Sequence, residues 1–204
     1  MEGSRGDLGS TVDRTTAAVI GATVPRVPVH TVADAPAESR ETLQAIGEQV
    51  GKVINIHAEM AHAPVLLEMY ATTEHLLRER SSLDEPTRQA IHLAVAHTNA
   101  CEYCQAAYTG AAKAAGHSEE ATLAIRRGAL PDDEQLTALL NVMREIAANT
   151  GYVEDTTWKT ALEAGWSEKE LLEGYAEVVR TIMTNYFNHL VGTELDLPAA
   201  PPLD

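Results

Sequence analysis

The chain has 204 residues, 45% of them apolar and only 4% aromatic, with a formal charge of −15. That is enough apolar matter for one core of ordinary size, built through small side chains. The negative balance excludes nucleic acid, whose phosphates need a basic surface, and an anionic membrane face. No apolar run reaches the roughly 18–20 residues of a spanning helix, and the N-terminal stretch has no apolar segment of the signal-peptide kind.

Residues 1–37 carry Gly, Thr, Val and three prolines (Pro25, Pro28 and Pro36) without helical period. They read as a loose extension or arm, ahead of a helical domain over 38–204. The arm's tract AAVIGATVPRVPV has no evident place in a helical core and is expected to cross to a neighbouring subunit. From Glu38 to Ile54, Leu43, Ile46, Val50 and Val53 recur at three- and four-residue spacing, the mark of an amphipathic helix. Pro64 opens the next helix, with Leu66, Leu67, Tyr70, Leu76 and Leu77 on one broad face. Ser82 to Pro86 reads as a capping box with proline in the first turn, starting a helix through TRQAIHLAVAHTN. A further helix starts near Cys101 and ends at Gly116, where glycine suits a left-handed cap. Ser118 and Asp132 or Asp133 cap two more helices, and Gly151 ends the second. DTTWKTALEAG and SEKELLEGYAEVVRTIMTNYFNHLVG complete the pattern. Two stretches, AKAAGHSEEATLAI and ALEAGWSEKELLEGY, echo each other as helix, Gly, spacer, Ser cap and helix. No strand-like alternation appears, so the fold class is all-α.

The segment HTNACEYCQAAY holds both cysteines of the chain, Cys101 and Cys104. On a helix, Cys101, Cys104 and Tyr108 share one face. A cysteine in the first helical turn sits at the positive end of the helix dipole, which favours thiolate. A second thiol three residues away can close onto an oxidised sulfur as a reversible disulfide. Three other readings compete. A thioredoxin-like βαβ setting lacks its strands here. Free cysteines are often simply buried. Zinc needs four ligands; there is no second C-x-x-C, and His97 and His117 fit no usual ligand spacing. The sequence therefore implies no metal ligands and no cofactor-binding set. His97 and His92 precede the pair closely enough to activate a thiol if their helix packs alongside. Tyr103 reads as packing or as a lid over the sulfurs, Trp158 and Trp166 as core or interface, and Asn188 and His189 as structural. SEKELLEGYAE reads as a solvated face.

The segment TRQAIHLAVAHTNACEYCQAAYTGAAKAAGHSEE resembles the carboxymuconolactone decarboxylase superfamily, and more closely its alkylhydroperoxidase D-like branch. GKVINIHAEMAHAP and TNYFNHLVGTELDLP agree with its flanking segments, so the likeness runs from about residue 40 to the end. It implies an alkylhydroperoxidase D-like helical bundle that assembles obligately as a trimer or hexamer. It also implies a peroxidatic Cys104, a resolving Cys101 and a dithiol reductant such as dihydrolipoamide. The family's relay Glu and His would fall at Gln89 and Tyr108. Gln cannot take a proton, and Tyr, with a reference pKa near 10, is a poor base at neutral pH. The pair reads as an uncharged replacement whose members hydrogen-bond each other and the sulfurs.

Three functions follow. The first is a cytoplasmic thiol oxidoreductase acting on an organic hydroperoxide, with Cys101, Cys104, Tyr108, Gln89 and His97 at its site. The second is a decarboxylase-like enzyme acting on a small organic acid. The third is a non-catalytic, redox-responsive helical oligomer.

Overall fold

The computed structural model describes residues 25–203, and in them nine α-helices and no strand. They are α1 (Arg40–Val50), α2 (Asn55–Met60), α3 (Pro64–Arg80), α4 (Glu85–Thr98), α5 (Glu102–Ala114), α6 (Glu119–Arg127), α7 (Glu134–Ala148), α8 (Asp155–Glu163) and α9 (Glu168–Val191). None is long and apolar enough to cross a membrane.

The centre is α4. Its residues 88–96 are buried without interruption, and α5, α6, α7 and α9 all pack against it. Ala90, Ala94 and Ala96 supply no bulk, so these neighbours approach closely, while Ile91, Leu93 and Val95 fill the space between them. A helix buried on every side is a core helix, and its polar Arg88 and His92 are buried with it. On α3, Leu67 and Tyr70 face inward as the pattern predicts, but Leu76 is half exposed.

The caps follow the sequence closely. The side chains of Ser118 and Asp133 accept the backbone N–H groups of Ala121 and Leu136, and Ser167 with Glu170 forms a capping box on α9. The echo between residues near 113 and near 161 is one local geometry used twice. Gly116 and Gly165 both sit at positive φ, 108° and 104°, and the amides after them reach back to Ala112 and Ala161. Each turn hands the chain to a Ser-capped helix.

Two expectations change. The helix expected over Glu38 to Ile54 is shorter: α1 ends at Gly51, at φ 90°, and the six-residue α2 follows beyond Ile54. The α4 cap is Asp84, which accepts the Thr87 amide, and not Ser82. Ser82 instead donates its amide and hydroxyl to Glu173 on α9, at 2.8 and 2.5 Å.

The arm expected over residues 1–37 is described only from Pro25. There it runs as turns along the domain. The Arg26 amide donates to the Val191 carbonyl at 2.8 Å, His62 bonds to the Pro28 carbonyl, and Ala35 is buried. Most of the apolar tract expected to reach a neighbouring subunit lies outside the described residues.

Candidate active site

The turn between α4 and α5 sets the two cysteines. Ala100 takes a positive φ of 53°, and Cys101 follows as the N-cap of α5. Its sulfur accepts the Cys104 amide at 3.3 Å, the place a serine oxygen usually fills. Both cysteines are free thiols and almost fully buried. From α9, the Asn188 side-chain amide donates to Cys104 Sγ at 3.1 Å and to Cys101 Sγ at 3.7 Å. Asn188, expected to be structural, is thus a ligand of the sulfur pair.

The pair is polarised. The neighbouring Cys104 sulfur, together with burial, pushes the Cys101 thiol well up. The Cys101 thiol, with help from Asn188, Asn185 and Thr184, holds Cys104 below the ordinary thiol range against the opposing effect of burial. Cys104 is therefore the readier thiolate, and Cys101 keeps its proton.

A cavity of about 850 Å³ opens onto this pair from one side, and it is lined by Cys104 but not by Cys101. Tyr70, Tyr103, Tyr108, His57, Gln89 and Arg180 share its wall with apolar Ile46, Ile54, Ile56 and Leu197. Tyr103 is fixed: its hydroxyl donates to Asp196 at 2.7 Å, and Lys52 closes on the same carboxylate. The two flanking segments named in the sequence thus meet at the residue between the cysteines.

Behind the cavity lies a buried ionic cluster. Glu177 is wholly excluded from solvent; its two oxygens accept from Arg88 Nε at 2.6 Å and His92 Nε2 at 2.7 Å. Burial alone would raise this carboxyl, but the His92 and Arg88 bonds outweigh it and hold the pKa at about 2. Arg180 pairs with Glu74 at 2.6 Å, donates to the Tyr108 hydroxyl and to the Tyr70 hydroxyl, and lies over both rings. SEKELLEGYAE is therefore not wholly a solvated face, because its last residue is the buried Glu177.

The sequence-stated candidates divide. Cys104, Gln89 and Tyr108 line one cavity, with Cys101 directly behind. Gln89 and Tyr108 do not bond each other: Gln89 donates to Glu85 at 2.7 Å, and Tyr108 is held by Arg180 and Thr184. His97 is turned elsewhere, donating to Gln105 at 3.0 Å beside Arg126, and is not part of the cavity wall. His92 is bound to Glu177 and meets the Tyr108 ring, with centroids 5.0 Å apart, rather than the sulfurs. Trp158 packs against the core, and Trp166 donates to the Gln135 carbonyl. Among the described residues no group of three His, Cys, Asp or Glu stands together as a metal site.

His57 on α2 was not foreseen. It is buried against Tyr70, its Nδ1 has no partner, and burial followed by the nearby Arg180 lowers its pKa from 6.5 to about 4. The folded imidazole therefore stays neutral where the unfolded one takes a proton. Stability is full above pH 6.5 and falls as the pH drops toward 4, by roughly 3 kcal/mol for that gap. Glu177, depressed from 4.5, adds a loss below that value. Urea midpoints measured from pH 7 to pH 4 should fall steadily, and His57→Leu should flatten the upper part of that fall; an unchanged slope contradicts the assignment.

The model of the carboxymuconolactone decarboxylase family matches residues 64–145, from the start of α3 into α7, and so includes both cysteines, Gln89 and Tyr108. Over that stretch the chain is similar to the carboxymuconolactone decarboxylase family. Its fold is alkylhydroperoxidase D-like. A peroxidase-related protein from Ralstonia eutropha JMP134 with an alkylhydroperoxidase core superposes with TM-score 0.74 at 17% identity, over 86% of this chain and 94% of its own. A peroxidase-related protein from Silicibacter sp. TM1040 gives 0.73 at 17%, over 85% and 95%. A cysteine-to-alanine variant of a debrominase, in complex with 2,3,4-tribromopyrrole, gives 0.75 at 14%, over 86% and 94%. No curated protein matches the chain in sequence. The site residues that sequence reasoning missed lie mainly on α9. Glu177, Thr181, Thr184, Asn185 and Asn188 fall at helical spacing on one buried face. A polar stripe at core period, inside a long amphipathic helix, was the signal that could have found them.

Proposed function

We propose that the protein is a thiol-dependent oxidoreductase that reduces a neutral organic hydroperoxide through Cys104, with Cys101 as the resolving thiol. One observation carries this: Cys104, with the Asn188 amide on its sulfur at 3.1 Å, is the member of the pair that lines the cavity. The Cys104 thiolate attacks a peroxide oxygen, the O–O bond breaks, and the alkoxide takes a proton and leaves as alcohol. The resulting sulfenic acid condenses with the Cys101 thiol, forming the S–S bond and releasing water. A dithiol then reduces the disulfide.

Charge selects the substrate class. Glu41, Glu74 and Glu85 line the cavity against Arg78 and Arg180. With Cys104 ionised the wall is net negative, so a carboxylate substrate of the decarboxylase kind is disfavoured and a neutral molecule is not.

Three tyrosine rings in the wall favour a second substrate class, a halogenated aromatic ring. The debrominase of the same fold, held with tribromopyrrole, supports that reading. There the dithiol would supply both electrons, with halide and the dehalogenated ring as products. The need for reduced thiols fits the cytoplasm and a dithiol partner. Assembly as a trimer or hexamer fits the apolar stripe that α9 exposes through Leu172, Tyr175, Val179, Tyr186 and Leu190.

Free thiols counted before and after a stoichiometric dose of cumene hydroperoxide test the reading. Rapid loss of both thiols per chain, restored by dihydrolipoamide, is expected; unreactive thiols overturn it. Bromide release from a bromopyrrole instead selects the second substrate class. Sedimentation of the reduced and oxidised chain reads assembly: a monomer throughout removes the oligomer, and a change of state without turnover selects the redox-responsive reading.

A further inference from the structure

Neither Gln89 nor Tyr108 can work as the acid–base pair of the family pattern, yet the Cys104 sulfur is not left without support. The polar face of α9 carries Arg180, Thr181 and Thr184 past the start of α5. The buried Arg180 guanidinium donates to the Tyr108 oxygen. With that oxygen used as an acceptor, the Tyr108 O–H points to Thr184 Oγ1, 3.2 Å away. Thr184 has one proton, which it places on the Thr181 carbonyl at 2.9 Å, and it shares the cavity wall with Cys104, whose sulfur is the other acceptor on that side. While the sulfur is a thiol, the carbonyl is the better acceptor. Once it is ionised, the charge-assisted bond to sulfur is stronger.

We propose that Arg180, Tyr108 and Thr184 form a hydroxyl chain that carries the guanidinium's polarisation to the Cys104 sulfur and holds it in its anionic form. No proton changes residue; the Thr184 hydroxyl turns from one acceptor to the other. Tyr108 suits this task because burial outweighs Arg180 and keeps its hydroxyl protonated, so it remains a donor throughout. Arg180 and Tyr108 act through Thr184 and are positioning residues. Other titratable groups stand around the chain: Cys101 at the start of α5, His92 on α4, Tyr70 and Glu74 on α3, His57 on α2 and Glu177 on α9. Glu74 and Glu177 oppose a nearby anion, and Arg180 and Arg88 are the cations that compensate them.

The inference rests on Cys104 being the attacking thiol, and its test reads ionisation rather than turnover. The reduced full-length chain is alkylated with iodoacetamide across a pH series, and Cys104 is resolved from Cys101 by peptide mass. Thr184→Val should move the Cys104 profile up by about one pH unit and slow alkylation at neutral pH about tenfold, the size of one hydrogen bond to a charged acceptor. Thr184→Ser should restore the native profile. Tyr108→Phe should shift it less, and should add nothing in a Thr184→Val background, because the chain is already cut. Unshifted profiles in both single variants, or shifts that add in the double variant, overturn the chain. Should Thr184→Val fail to fold, the Tyr108→Phe shift alone decides, an unshifted profile counting against the proposal. A wild type that shows these shifts but reduces no hydroperoxide overturns the proposed function and leaves the chain standing.

Discussion

Cys104→Ser should lower hydroperoxide consumption about a thousandfold or more, to the background of the added reductant. A serine oxygen at this position stays protonated and is a poor nucleophile, and Cys101 does not line the cavity to replace it. Cys101→Ser should behave differently. The serine hydroxyl can still donate to the Cys104 sulfur, so the first attack proceeds. Without a resolving thiol the protein stops as a sulfenic acid after a single equivalent. A coupled assay under limiting reductant, with a sulfenic-acid trap, separates the two variants. Equal behaviour of both would contradict the assigned roles, because the structure makes the cysteines unequal in access and in ionisation.

Glu177→Gln should be the most damaging change outside the thiols. Glu177 anchors two buried partners, Arg88 and His92, in a region without water access. The amide keeps the shape but removes the charge that holds both, leaving Arg88 with less compensation in the core. Breaking a buried pair in this way typically costs about 3–5 kcal/mol, whereas exposed pairs cost under about 1. Urea unfolding of the variant at neutral pH measures this. A loss no larger than that of an exposed pair would mean that Glu74 and Glu85, the other carboxylates near Arg88, carry the cluster without it.

The helices were legible wherever local chemistry marks an end. Ser118, Asp133 and Ser167 cap their helices through their own side chains, and glycines at positive φ close several others. What was hidden lay below the length at which period shows. Val53 and Ile54 continue the apolar rhythm of α1, but the chain turns at Gly51 before them and the six-residue α2 follows. At the α4 cap, Asp84 and Ser82 are equally good local candidates. The choice falls to Asp84 because Glu173, far along the chain, takes Ser82.

The site was half legible for the same reason. Cys101, Cys104 and Tyr108 share one helix, so their spacing places them together. Gln89 joins them from α4, the helix before. Asn188, Thr184 and Arg180 reach the same point only because α9 crosses α4 and α5, a contact some eighty residues away in sequence. His97 illustrates the converse error. It is close in sequence to Cys101, yet the end of α4 directs it to Gln105 and away from the cavity. The charged segment ending in Glu177 misled through composition, since a run of glutamates is ordinarily solvated.

Intact-mass analysis of the reduced chain after one equivalent of tert-butyl hydroperoxide, followed by peptide mapping without reductant, tests the central claim most directly. The account predicts a loss of two hydrogen atoms and a single cross-linked peptide joining Cys101 to Cys104, reversed by a dithiol. An unchanged mass, or oxygen added to either cysteine with no cross-link, would contradict it.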